Sequence, residues 1–104
     1  MEFNLIKEKE YSYIEEGDGF PIIVLHGLMG NLSNFNEVTR FFKERNFKVI
    51  MPVLPIYELP LLKTSVKELA KFLDNFIIHK KIKDFVLMGN SLGGHIGLYY
   101  TKMF

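Results

Sequence analysis

With 104 residues, 48% of them hydrophobic and ten of them phenylalanine, the chain is sized for one small domain with a genuine core, which excludes a disordered segment. Charged residues nearly cancel to a formal net charge of +1, leaving no overall field to attract nucleic acid or an anionic membrane. The absence of cysteine removes disulfides, thiolate metal sites and a cysteine nucleophile.

Met1 to Lys9 carries Glu2, Lys7, Glu8 and Lys9 among its apolar residues, so it lacks the continuous apolar core of a secretory signal. The longest apolar stretches fall far short of a membrane span, and the expectation is a soluble, cytoplasmic protein. Phe3 to Lys7 and Tyr11 to Glu15 read as a short antiparallel strand pair, followed by the turn-forming run Glu16, Gly17, Asp18, Gly19. Pro21 to Leu25 is a compact apolar run, the pattern of a strand buried on both faces in a parallel sheet.

From Ser33 to Arg45 the apolar residues Phe35, Val38, Phe41 and Phe42 recur at helical spacing, with Ser33 as cap and Asn46 as a left-handed stop. Phe47 to Met51 predicts a second buried strand, after which Pro52, Pro55 and Pro60 oppose regular structure until Ser65 opens a capping box with Glu68. The helix from Val66 to His79 places Val66, Leu69, Ala70, Leu73 and Ile77 on one stripe and gives Lys67, Glu68, Lys71 and Asp74 to water. Asp84 to Met88 predicts a third buried strand, and a sharp turn through Gly89 to Ser91 leads into an apolar helix from Leu92 to Phe104. Strands alternating with helices in this way imply a parallel sheet with right-handed crossovers, helices on both faces, and ligands at the carboxyl ends of the strands.

Gly89, Asn90, Ser91, Leu92 and Gly93 form G-x-S-x-G between a predicted strand and a predicted helix, the context that makes Ser91 a candidate nucleophile. A tight turn holds the hydroxyl clear of the backbone, and the flanking glycines leave room for it. The start of the following helix offers unpaired N–H groups, so the Leu92 amide is a candidate oxyanion donor. A second donor, the Leu28 amide, is offered by His26, Gly27, Leu28, Met29 and Gly30, directly after the Pro21 to Leu25 strand.

The alternatives are weaker. Neither glycine turn has the G-x-G-x-x-G form, and no G-K-[ST] is present for a phosphate loop. His95 lies four residues after Ser91 on one predicted helix, a geometry that points both side chains away from an in-line contact. His26 reads as a loop-bracing residue and His79 as a helix terminator suited to the dipole. Asp84 and Asp74 read as structural, and Phe41 with Phe42 and Tyr99 with Tyr100 as packing pairs. Glycines 93, 94 and 97 suit close helix-to-strand packing.

HGLMG after one strand and GNSLGG after another make the chain resemble the α/β-hydrolase superfamily along nearly its whole length. The resemblance implies strand order 1-2-4-3-5-6-7-8, of which residues 1–104 look like strands one to five with the first three helices. They would thus be the N-terminal half of a single domain, a mostly parallel α/β sheet truncated after its third helix. It implies Ser91 as nucleophile, Leu28 and Leu92 as oxyanion-hole amides, His26, Gly27, Gly89 and Gly93 as supporting motif residues, and no cofactor or metal. The family's acid and base follow the serine in the chain and would lie beyond Phe104, so the 104 residues alone are expected to be inactive. Met51, Pro52, Val53, Leu54 and Pro55 stand where the common family pattern has an Asp and a Gly-rich stretch.

The implied activity is hydrolysis of a small-molecule ester or related acyl compound through an acyl-enzyme. Carbon–carbon hydrolysis, perhydrolysis and acyl transfer use the same geometry. The competing expectation is a non-catalytic, shortened hydrolase-like fold acting as a binding module. On this second reading, a fold stopping here leaves the fifth strand as an exposed apolar sheet edge that invites self-association.

Overall fold

The computed structural model describes residues 5–25, 32–54, 66–89 and 100–104. Five strands and two helices run in the order β1 (Ile6–Glu8), β2 (Tyr11–Glu16), β3 (Phe20–Leu25), α1 (Leu32–Lys43), β4 (Phe47–Pro52), α2 (Val66–Lys80) and β5 (Val86–Gly89), with a further helical turn at 100–103. They form one sheet of order β1-β2-β4-β3-β5, the first five places of the order the resemblance implies. β1 and β2 pair antiparallel, as does β2 with β4, while β3 is parallel to both β4 and β5. The sheet is therefore mixed over this span, with its parallel part around β3.

Strand alternation distributes the core over two faces. Tyr11 and Tyr13 of β2, Ile50 of β4, and Ile23 and Leu25 of β3 point to the face covered by Leu69, Ala70, Leu73, Phe76 and Ile77 of α2, with Tyr100 beside them. Ile14, Val49 and Met51 point the other way, where Val24 of β3 and Phe42 of α1 pack against them. Helices on both faces explain why β3 and β4 read as near-continuous apolar runs. Phe76 is fully buried and makes edge-on contacts with Tyr11 and Tyr13 at centroid distances of 5.6 and 5.4 Å, although the sequence stripe omitted it.

The backbone is closely packed between β2 and β3. These strands are joined by Gly17, Asp18 and Gly19 alone, yet β4 lies between them in the sheet, so the link must cross the start of β4. Both glycines adopt left-handed φ values of 87° and 126°, with Gly17 against Lys43 and the Phe47 carbonyl and Gly19 against the Asn46 carbonyl and Phe47 N. Asn46, at φ 66°, is the left-handed stop that the sequence suggests.

The end of α2 is a Schellman motif: Ile82 N–H donates to Ile77 O at 3.1 Å and Lys81 N–H donates to Ile78 O at 3.0 Å. Lys81 sits at the left-handed position, φ 58°, and Ile82 packs against the cluster containing Ile77.

Some expectations shift. Helix α1 begins at Leu32, so Ser33 is its second residue rather than its cap. Its buried face includes Thr39, fully buried, while Phe41 is 49% exposed and carries Arg45 over its ring at 3.6 Å. Pro52 closes β4 opposite Tyr13 rather than ending regular structure before it; as the last strand residue it can lack an N–H, and Val53 N–H resumes the pairing with Ser12 O at 2.8 Å. Asp74 is half-buried rather than solvated, because the Tyr100 hydroxyl donates to it at 3.4 Å. Strand β5 begins at Val86, and Val86 is 47% exposed because β5 has β3 on one side and no other described strand beyond it. Ser65, the proposed start of the α2 capping box, lies outside the described residues.

Candidate active site

The two motif-bearing segments are anchored at one edge of the sheet. Strand β3 ends at Leu25, immediately before His26, and β5 ends at Gly89, immediately before Asn90. Leu25 and Gly89 are register partners on neighbouring parallel strands, so the two segments start side by side, one strand spacing or about 4.8 Å apart. The same edge carries the end of β4, because Ile23 pairs with Ile50 and both strands run on toward their carboxyl ends. This is the edge where parallel sheets gather loops and where ligand sites form.

A shared core braces that edge from one face. Leu25 belongs to the same buried cluster as Leu54, Leu69, Ala70 and Tyr100, so the end of β3, the segment after β4, the first turns of α2 and the C-terminal helical turn are packed as a unit. Tyr100 stacks on Phe104 at 5.3 Å and lies 6.2 Å from Phe85, just before β5. Burial, followed by the neighbouring Asp74 carboxylate, pushes the Tyr100 phenol up from its ordinary range, so it remains a hydrogen-bond donor at neutral pH. Leu54 was passed over in the sequence as part of a proline-rich stretch; a lone apolar residue two places beyond a buried strand was the available signal.

Of the sequence-derived site residues, Gly89 is the final residue of β5 and exposed. Ser91, Leu28, Leu92, His26, Gly27 and Gly93 lie outside the described residues, as does His95. Asp84 precedes β5 at its amino end, exposed and on the edge opposite Gly89. His79 lies in the last turn of α2, where its Nε2 is 3.2 Å from Glu8 Oε1 and its ring leans on Tyr11 at 4.9 Å, fastening β1 to the helix. Among the described residues no three His, Cys, Asp or Glu side chains converge on a metal-sized point. No described helix is long and apolar enough to cross a membrane.

Comparison with known proteins bears on the fold. An α/β-hydrolase enzyme from the metagenome of sediments of the Mar Chica lagoon, Morocco, is 50% identical over 97% of this chain with a TM-score of 0.91, and the chain spans 46% of that enzyme's length. An epoxide hydrolase from Vigna radiata superposes with a TM-score of 0.81 at 17% identity, over 98% of this chain and 35% of its own. A carboxylesterase structure from the thaumarchaeon Nitrososphaera gargenis gives 0.74 at 22% identity, over 94% of this chain and 40% of its own. The last two show likeness of fold alone. No family model matches the sequence, and no curated protein matches it.

Proposed function

This chain belongs to the α/β-hydrolase superfamily, and from that premise we propose that it is the N-terminal half of a serine hydrolase domain acting on ester or related acyl bonds. The observation that carries the reading is the pairing of Leu25 with Gly89: it starts the HGLMG and GNSLGG segments from adjacent strand ends, as a shared tetrahedral-intermediate site requires.

In this reading the Ser91 Oγ attacks the substrate carbonyl carbon while its proton passes to a histidine base supplied, with its acid partner, by chain beyond residue 104. The carbonyl π pair moves onto oxygen, and the amides of Leu28 and Leu92 donate to that oxyanion. Collapse expels the leaving alkoxide, which takes the proton back; water then attacks the acyl-enzyme by the same route and frees Ser91. His26 and Gly27 shape the first loop, and Gly89 and Gly93 leave space around the serine.

The test is labelling of the full-length protein by a fluorophosphonate probe, with Ser91→Ala as control. Labelling that disappears in the variant, with esterase turnover falling by about four orders of magnitude or more, supports the assignment. A full-length protein that is folded but unlabelled overturns it and favours a binding role for the same fold.

A further inference from the structure

The edge opposite the candidate active site holds a cleft of about 350 Å3, lined by Glu15, Pro21, Lys48, Ile50 and the run Lys80, Lys81, Ile82, Lys83. Pro21 and Lys48 are register partners at the amino ends of β3 and β4, whereas the Leu25–Gly89 pair lies at the carboxyl ends. The cleft is therefore separate from the acyl site.

Its charge is one-sided. Four lysines line it against one carboxylate, and that carboxylate, Glu15, is engaged by Lys80 at 3.0 Å. Lys80 also donates to the Tyr13 hydroxyl at 3.0 Å, so it is a fixed part of the wall. Lys48, Lys81 and Lys83 leave an excess of three positive charges in the cleft, in a chain whose formal net charge is only +1.

A structural role accounts for part of this cluster, since cations suit a helix C-terminus. It does not account for all of it. The carbonyls of Ile77 and Ile78 at the end of α2 already accept from Ile82 and Lys81 N–H groups, and Lys48 comes from β4, over thirty residues away in sequence. Lys81 is held by the left-handed backbone of the Schellman motif, which fixes where its side chain starts. Convergence of like charges from separate elements costs free energy that a bound anion removes. The remaining lining, Pro21, Ile50 and Ile82, is apolar, and the volume is at the small end of ligand sites.

We propose that the cleft formed by Lys48, Lys80, Lys81 and Lys83 binds a small phosphorylated molecule, its phosphate held by the lysines and a compact apolar body resting on Pro21, Ile50 and Ile82. Soluble and lipid-borne phosphates share this chemistry, and the soluble ligand is the source tested for.

Calorimetric titration of the full-length protein with phenyl phosphate and with inorganic phosphate, at low ionic strength, tests this. Expected is saturable binding of phenyl phosphate with Kd below about 1 mM, tighter than for inorganic phosphate and weakened by added salt. Lys48→Glu combined with Lys83→Glu should weaken it at least about tenfold, while Lys102→Gln and Ser91→Ala leave it unchanged. Lys83→Glu alone, at an exposed position, serves if the double variant loses its fold, with a loss of about threefold expected. Non-saturable heats, equal binding by the charge-reversed protein, or loss of binding in Ser91→Ala overturn the proposal. Binding only to vesicles containing phosphatidic acid, with no response to soluble phosphates, overturns it as well.

Discussion

Replacing Gly19 with alanine would put a methyl group against the backbone at the start of β4. A Cβ built there meets the carbonyl group of Asn46, 2.7 Å from its carbon and closer still to its oxygen, and Phe47 N lies 3.4 Å away. None of these atoms is the movable end of a side chain. The backbone angle adds to the cost, since φ of 126° is a conformation that residues with a side chain rarely adopt. Strain of this kind costs about 1–3 kcal/mol and overpacking about 1–3 kcal/mol more, so a loss of about 3–5 kcal/mol is expected for Gly19→Ala. Gly17→Ala meets Phe47 O at 2.5 Å, but its φ of 87° is nearer the tolerated left-handed range and its next neighbour, Lys43 Cγ at 3.2 Å, can move, so it should cost less. The assay is guanidinium unfolding of the full-length protein, with the midpoint falling and the slope unchanged. A Gly19→Ala midpoint equivalent to a loss under about 0.5 kcal/mol would refute the claim that the link is wedged against the start of β4.

Phe76→Ala empties a fully buried site between α2 and the β2 tyrosines and should cost about 3–5 kcal/mol by the same unfolding assay. Lys81→Gly relieves a left-handed lysine at φ 58° and should raise stability by up to about 1 kcal/mol; an unchanged or lowered midpoint would count against the cap geometry. The Glu8 carboxyl is held below its ordinary value first by the Tyr13 hydroxyl and then by the His79 ring. A folded-state value below the unfolded one means that this contribution is present above pH 4.5 and is lost as pH falls through the depressed value, so wild type should lose more thermal stability than Glu8→Gln on acidification below that point. Identical acid profiles for the two proteins would contradict the linkage.

The buried strands were legible because β3 and β4 are covered on both faces, which removes polar alternation and leaves runs such as Ile22 to Leu25. Strand order came from the family resemblance rather than from periodicity, since nothing in the local pattern of β2 announces that it pairs with β4 and not with β3. Helix faces were read less well. Phe41, placed on the apolar stripe, is exposed, and Thr39, which the stripe left out, is buried, because a hydrophobicity stripe weighs side-chain type whereas burial follows the angle at which α1 meets the sheet. Asp74 was assigned to water from its own helix alone, and its partner Tyr100 lies 26 residues further on. For the candidate site, sequence supplied the two motifs and the fold supplied their common starting edge at Leu25 and Gly89. The basic cleft was invisible in composition, because the eleven acidic residues outside it mask a local surplus contributed by distant segments.

The three-residue link from β2 to β3 also bears on how the chain reaches its fold. The two strands run antiparallel and are tied closely enough to form a direct hairpin as soon as they are made, before β4 exists. In the finished sheet β4 occupies the place between them, so any such early hairpin must open to admit it. Local pairing is fast, about microseconds, and the correct arrangement waits on a segment some thirty residues downstream. Direct pairing of β2 with β3 is thus a local competitor that the native order excludes only once β4 is in place, and the positive-φ glycines of the link suit either arrangement.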